Sequence, residues 1–239
     1  MRRFADSMTW ASDSGFAIDA AVNERVTFIR RTYLHLVGEL GGVALATVVI
    51  LQSVVLQRAA VALWNSWILY LAAFFGLSLL TRKLLEGRKS LAIQYAGAAL
   101  WVFFLGLLVA PLAMAANARF GSYAVLGEGL ILTGCVFGGL TAYVFFTKKD
   151  FSYLGGILSV ASWTLLGVAV IAFFLGGFAG SPIWSILWVL LLSGWVLYDT
   201  SKLMHRRHVD EYVAASVDLL VDFVYMFIHI VILLMGSRD

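Results

Sequence analysis

Three aspartates lie inside long apolar stretches in the C-terminal part of the chain. Asp199 ends the segment Trp-Val-Leu-Tyr-Asp, and Asp218 and Asp222 flank Leu-Leu-Val. No Lys or Arg lies deep in any apolar stretch, so these carboxyl groups need a partner from a helix end, a proton or a bound cation. We therefore treat the three aspartates as candidate functional residues.

The spacing of Asp199 and Asp222 predicts that they face each other across a helical hairpin. With the turn centred at residue 210.5, both carboxylates lie about 17 Å along their helices from the turn. With the turn centred near 207, they are offset by about 10 Å, and Asp218 is the better partner of Asp199. Two facing carboxylates in an apolar setting share a proton, so the charge of the pair depends on pH. The alternative is that each Asp only accepts hydrogen bonds from Ser, Thr or Tyr.

A polar stripe runs along the last apolar stretch. Asp218, Asp222, Tyr225 and His229 follow one another at i, i+4, i+7 and i+11, within an arc of about 60° on a helix. This pattern predicts a helix that lines a cavity or lies at the centre of a bundle. A polar seam between two helices is the alternative.

The elements that position these residues are membrane-spanning helices. The chain has 239 residues, of which 62% are hydrophobic and 13% charged, which excludes a soluble enzyme, a disordered chain and a nucleic-acid-binding protein. A single cysteine excludes an intramolecular disulfide framework. Seven apolar runs reach the roughly 20 residues needed to cross a bilayer, and we predict an all-α bundle of seven transmembrane helices. The runs cover 33–57, 64–81, 91–115, 125–147, 152–176, 182–203 and 212–235.

The distribution of basic residues predicts the orientation. Fourteen of the 17 Lys and Arg residues fall on one side of the predicted spans, and this side is cytoplasmic by the positive-inside rule. We expect a short cytoplasmic N-terminal tail over 1–28 and a membrane domain over 29–236, with the C-terminus outside. Two further features are Glu128, which opens the fourth span as a pore-mouth acid or a helix-start charge, and Gly134-x-x-x-Gly138, which predicts close helix packing.

Three segments of the chain form a recognisable set: Thr141-Ala-Tyr-Val-Phe-Phe-Thr-Lys-Lys-Asp-Phe-Ser-Tyr-Leu-Gly-Gly156, Leu-Tyr-Asp at 197–199 and Leu-Leu-Val-Asp-Phe at 219–223. Together they resemble the Bax inhibitor-1 family of transmembrane proteins. The resemblance covers about 29–236 and is to the bacterial type. It implies seven helices with the last one central, and a pH-sensitive calcium leak in a bacterial plasma membrane.

The resemblance also implies roles for individual residues. Asp199 and Asp222 match the family's pH-sensing pair, and Arg82 matches a basic latch, with Lys83, Arg88 and Lys89 as alternatives. Asp218 departs from the family, whose members often carry a neutral residue there. Glu128 matches a family acid and, with Asp218, Tyr225 and His229, is a candidate pore-lining or cation-lining residue. We expect Asp199, Asp218 and Asp222 as possible Ca²⁺ contacts, since Ca²⁺ prefers carboxylate oxygens, and no other cofactor.

Two other functions remain open from the sequence. One is a non-transporting regulator of a partner membrane protein, such as a protease or a component of stress or cell-death signalling. The other is an intramembrane aspartyl protease, for which Tyr198-Asp199 fits one half of the motif. The second half, Gly-x-Gly-Asp, is not matched by Leu220-Val221-Asp222.

Overall fold

The computed structural model describes residues 16–85, 90–175 and 182–238, and these residues form an all-helical bundle. Seven of its helices are long and apolar enough to cross a membrane, as the sequence predicts. An additional helix of 12 residues, α2, follows the first. The helices are α1 Val22–Gln52, α2 Val54–Asn65, α3 Trp67–Leu85, α4 Leu91–Phe120, α5 Ala124–Thr147, α6 Leu154–Leu175, α7 Pro182–His205 and α8 Tyr212–Gly236.

The first predicted span differs most from the structure. Helix α1 begins at Val22 rather than near residue 33, and its 31 residues correspond to about 46 Å, which exceeds the hydrocarbon thickness. The helix stops at Gln52 because Ser53 is extended, with φ −116° and ψ 114°. The Ser53 hydroxyl then accepts a hydrogen bond from the Leu56 N–H at 3.5 Å and caps α2. Hydrophobicity continues across this break, so an apolar-run criterion does not detect it.

Helix α8 lies at the centre of the bundle, which confirms the prediction from its polar stripe. It packs against α1, α4, α5 and α7. In its most apolar segment 61% of the residues are buried, compared with 11% in α3 and in α6. Its polar residues therefore face protein and the cavities within it.

Close helix packing occurs at glycines other than the expected pair. A Cβ built on Gly134 or Gly138 meets nothing within 4 Å, so the prediction of close packing at these two glycines is wrong. Gly129, one turn earlier on α5, lies so near to α8 that a Cβ there would overlap the Val231 side chain. Which glycine faces a neighbour depends on the rotation of α5 about its axis.

Two connections fix the end of the bundle at which α7 meets α8. The N-terminal segment forms an antiparallel bridge between Phe16 and His208, and the Ala17 N–H donates to the Arg207 carbonyl at 2.8 Å. These contacts hold the α7–α8 turn in place, and Arg207 with it.

The α5–α6 connection docks on α7 at the same end. The Phe151 N–H donates to the Ser201 hydroxyl at 2.8 Å, and Asp150 accepts from the Ser152 N–H at 2.8 Å. The hydroxyl and the backbone N–H of Ser152 favour the ionised carboxylate and lower the pKa of Asp150 below its ordinary value.

Candidate functional site

A polar cavity of about 390 Å³ lies near the α7–α8 turn. Its walls come from α3, α4, α7, the turn and α8, and we call it the charged cavity. It brings together the three predicted aspartates with three basic side chains. These six residues are Arg82, Asp199, Lys202, Arg207, Asp218 and Asp222.

Asp199 and Asp222 both line the charged cavity, from the two helices of the hairpin. Their carboxyl groups are close enough to interact electrostatically. Asp222 is 6% exposed, and its Oδ2 atom is buried without a hydrogen-bond partner. Proximity and burial make a shared proton the least costly arrangement for this pair, because two unscreened negative charges repel strongly there.

The turn position explains why Asp199 also associates with Asp218. Helix α7 ends at His205 and α8 begins at Tyr212, so the midpoint of the turn is residue 208.5, between the two alternatives that the sequence left open. In this register Asp199 lies at the depth of Asp218, and Asp222 lies about 6 Å further along α8, so the third carboxylate joins the cluster.

Lys202 connects two of these carboxylates. Its Nζ atom lies 3.3 Å from Asp199 Oδ1 and 3.0 Å from Asp218 Oδ2. It also lies 6.0 Å from the centre of the Tyr198 ring, within the range of a cation–π contact. A lysine in the last turn of α7 therefore supplies positive charge to the cluster from within the same hairpin.

Arg207 completes the pairing of Asp218 from the α7–α8 turn. Its Nη2 atom lies 2.5 Å from Asp218 Oδ2, and its Nη1 atom lies 3.6 Å from Glu211 Oε2. Burial alone would lower the pKa of Arg207, but the carboxylates, Asp218 foremost, keep it above its ordinary value. The guanidinium stays charged, so Asp218 is compensated by two cations.

Sequence reasoning missed Lys202 and Arg207 because it treated the basic residues near the span ends only as markers of orientation. The available signal was the i, i+3 spacing between Asp199 and Lys202, which places both side chains on one face of a helix. No sequence signal places Arg207 against Asp218, because that contact depends on the path of the turn.

The latch candidate Arg82 lies on the last turn of α3 and lines the charged cavity. Lys83, on the same turn, is exposed and does not line the cavity. Arg88 and Lys89 lie outside the described residues. Of the latch candidates that are described, Arg82 is therefore the one placed beside the carboxylates.

The rest of the polar stripe borders a second space, of about 610 Å³, between α3, α6, α7 and α8. We call it the aromatic groove. The Tyr225 hydroxyl is 2.9 Å from that of Tyr70, and the His229 ring stacks on Trp188 with 5.4 Å between ring centres. Asp222 lines both the charged cavity and the aromatic groove, so it lies at their junction.

Glu128 lies apart from both spaces. It forms an ion pair with Arg238 near the end of α8, and it does not line the charged cavity or the aromatic groove. Its role at a pore mouth stays a prediction.

The described residues contain no group of three or more His, Cys, Asp and Glu side chains arranged to hold a metal ion. Asp218, the carboxylate proposed from the sequence as an additional calcium contact, is already paired with Lys202 and Arg207. A cation that binds here therefore competes with these two side chains.

The fold and this cluster define a multi-pass membrane protein with buried carboxylates at one end of a seven-span bundle. A sequence profile described as "Inhibitor of apoptosis-promoting Bax1" matches residues 25–239. The chain belongs to this family, the Bax inhibitor-1 family, as its motifs predict.

Individual relatives agree with this assignment. Bax inhibitor 1 of Schizosaccharomyces pombe is 28% identical over 223 residues, which are 89% of this chain and 77% of the relative. Protein lifeguard 4 of Mus musculus is 34% identical over 131 residues, and the chain spans about half the length of that relative, 55%. An uncharacterized membrane protein of Vibrio cholerae is 30% identical over 154 residues, which are 62% of this chain and 69% of the relative.

Proposed function

We propose that this protein is a pH-sensitive calcium leak channel whose gate is the Asp199–Asp222 pair. The observation that carries the proposal is the meeting of two buried carboxyl groups in a cavity that Arg82 also lines. In a membrane protein, ionisable groups buried in this way mark ion pathways and proton-sensing sites more often than structural contacts.

The gate responds to pH through the shared proton. With one proton between them, Asp199 and Asp222 stay together and the mouth of the pathway is closed. As pH rises the proton is lost, and repulsion between two carboxylates favours separation of α7 from α8. Positive charge beside the ionised pair opposes this separation, and the latch candidate Arg82 lines the same cavity.

Calcium is the proposed permeant ion because the cluster offers carboxylate oxygens from two helices. Ca²⁺ accepts irregular sets of oxygen ligands, so it can bind transiently to Asp199 and Asp222 once they have lost the proton. The ion pairs of Asp218 with Lys202 and Arg207 limit how tightly Ca²⁺ binds, which suits a pathway that must also release it.

We place the charged cavity on the cytoplasmic side of a bacterial plasma membrane. The basic residues at the ends of α3, α5 and α7 and in the N-terminal part of α1 share this end of the molecule, and positive charge is retained in the cytoplasm. The N-terminus is cytoplasmic in this orientation, and the pH sensed by the pair is that of the cytoplasm.

The test is calcium flux into dye-loaded proteoliposomes between about pH 6 and 8. We expect a leak that rises with pH in the natural protein and loses this dependence in Asp199→Asn and Asp222→Asn. Asp210→Asn is the matched control, because it removes an exposed carboxylate from the α7–α8 turn and should leave the profile unchanged. No flux at any pH from correctly folded protein would refute the channel function.

A non-transporting regulator is the second candidate. The family description and the name of the yeast relative both refer to inhibition of Bax, and a regulator of a partner membrane protein needs no ion pathway. Such a protein should keep its partner activity in Asp199→Asn and Asp222→Asn variants that fold. A channel gated by this pair should lose its pH-dependent flux in the same variants.

A further inference from the structure

The aromatic groove is larger than the charged cavity beside it, about 610 Å³ compared with about 390 Å³, and the ion pathway does not account for its composition. Tryptophan dominates its walls. The tryptophans that line it are Trp67, Trp163, Trp184, Trp188 and Trp195. The volume of about 610 Å³ lies within the range of small-molecule sites, about 300–1,000 Å³.

The groove opens toward the lipid between α3 and α6. These two helices make little contact along their described lengths. The rings of Phe75 and Trp163 stack across the gap with 5.9 Å between centres and 9° between planes. Trp163 is 63% exposed, so this aromatic pair lies at the surface of the bundle, where a guest from the bilayer would first meet the groove.

Two residues that line the groove each carry a buried polar atom without a hydrogen-bond partner. Oδ2 of Asp222 and Nδ1 of His229 are buried and make no hydrogen bond, and both residues line the groove. Of the residues that line it, none is Lys or Arg. No basic side chain therefore reaches Asp222 from the groove side, and once the Asp199–Asp222 pair has lost its shared proton the negative charge of Asp222 is costly to leave uncompensated there.

We propose that the aromatic groove binds a lipophilic organic cation. Its apolar body lies among the tryptophans, and its cationic centre approaches Asp222. Tryptophan faces attract cations that have a low hydration cost, such as quaternary ammonium and phosphonium groups. The site thus combines an apolar wall, aromatic faces and one carboxylate.

The chemistry of the groove favours this ligand over a neutral one. A neutral lipid tail would fill the apolar space but leave the Asp222 oxygen without compensation. A small inorganic cation would find one carboxylate and few other oxygens, too few for its usual coordination. The proposal does not require that the protein conduct calcium, because it concerns binding alone.

The experiment is equilibrium binding of tritiated tetraphenylphosphonium to the purified full-length protein in detergent. Triphenylphosphine oxide, a neutral molecule of similar shape, serves as the competitor that lacks the charge. We expect saturable binding that Asp222→Asn weakens by at least about tenfold, the effect of losing about 1.4 kcal/mol. The neutral oxide should displace the cation only poorly.

Three further variants make the result specific. Trp163→Ala changes an exposed ring at the mouth and should fold, and it should weaken binding severalfold. Leu130→Ala alters a separate apolar cavity, between α1, α4, α5 and α8, and should leave binding unchanged. Asp199→Asn perturbs the proposed gate without lining the groove, so it should alter flux while tetraphenylphosphonium still binds.

Equal binding by the natural protein and the Asp222→Asn variant would overturn the proposal, as would equally strong displacement by the neutral oxide. The second result would identify the groove as a site for neutral amphiphiles or lipid tails. If the natural protein shows no calcium flux but binds tetraphenylphosphonium in an Asp222-dependent way, the channel function is refuted and this inference still stands.

Discussion

Replacing Lys202 by methionine tests whether the charge of the hairpin itself sets the response to pH. The change keeps most of the apolar stem and removes the ammonium that lies 3.3 Å from Asp199 and 3.0 Å from Asp218. Helix α7 should persist, since Met and Lys have similar helix propensities.

The size of the effect follows from the distance between the charges. At the 3.3 Å separation of Lys202 and Asp199, two unit charges attract by about 1.3 kcal/mol even at the dielectric constant of water. A difference of about 1.4 kcal/mol between protonated and ionised states corresponds to one pH unit. Without the ammonium, the carboxyl pair gives up its proton less readily. We therefore expect the rise in calcium leak to move to higher pH by about one unit or more.

The assay is the calcium-flux profile in proteoliposomes, with thermal unfolding in detergent as a check on folding. Lys202→Arg keeps the charge and should keep the profile close to that of the natural protein. Lys149→Met removes an exposed lysine at the same end of the bundle and should have no effect. An unchanged profile in Lys202→Met, or a shift to lower pH, would refute the role of this lysine as the counter-ion.

Three further changes probe the packing around the site. Tyr225→Phe breaks the 2.9 Å hydroxyl contact with Tyr70 and should lower the free energy of unfolding by about 1–2 kcal/mol. In a double-mutant cycle, the variant that also carries Tyr70→Phe should lose less stability than the sum of the two single losses. Strictly additive losses would argue against the contact. Gly129→Ala forces α5 away from the facing valine of α8 and should lower the free energy of unfolding by about 1–3 kcal/mol. Gly134→Ala places its methyl group in open space and should not destabilise the protein. Thermal unfolding of the two variants checks this difference. The pKa of Asp150 is lowered in the folded state, so its contribution to stability is present at neutral pH and is lost as pH falls from the ordinary carboxyl range through that lowered pKa. The difference in unfolding temperature between the natural protein and Asp150→Ala should therefore shrink in acid. A difference that grows in acid would contradict the assignment.

Asp222 lies at the junction of the charged cavity and the aromatic groove, and this position connects the two proposals without making either depend on the other. One side of its carboxyl faces Asp199 in the charged cavity, and it also lines the aromatic groove. A lipophilic cation bound in the groove would add positive charge next to the proposed gate. The structure thus offers a route by which a membrane-dissolved molecule acts on a pH-sensing pair.

The sequence determined the membrane class, the spans and the central position of the last helix. These follow from composition and from periodicities along the chain, which are local properties. A helix with Asp218, Asp222, Tyr225 and His229 on one face cannot place that face against lipid without a large cost, so its burial was predictable. The sequence also predicted that Asp199 lies near an aspartate of the last helix, because a short hairpin constrains depth, but it left open whether that residue is Asp222 or Asp218.

Tertiary structure decided the register and the partners within that framework. The path of the turn brought Arg207 to Asp218, and the rotation of α7 placed Lys202 between two carboxylates. The rotation of α5 selected Gly129 rather than Gly134 for close contact with α8. The physical reason is that helix rotation and approach are set by side chains interlocking across many residues of different helices. A pattern read along one helix contains no information about the side chains that its neighbours present.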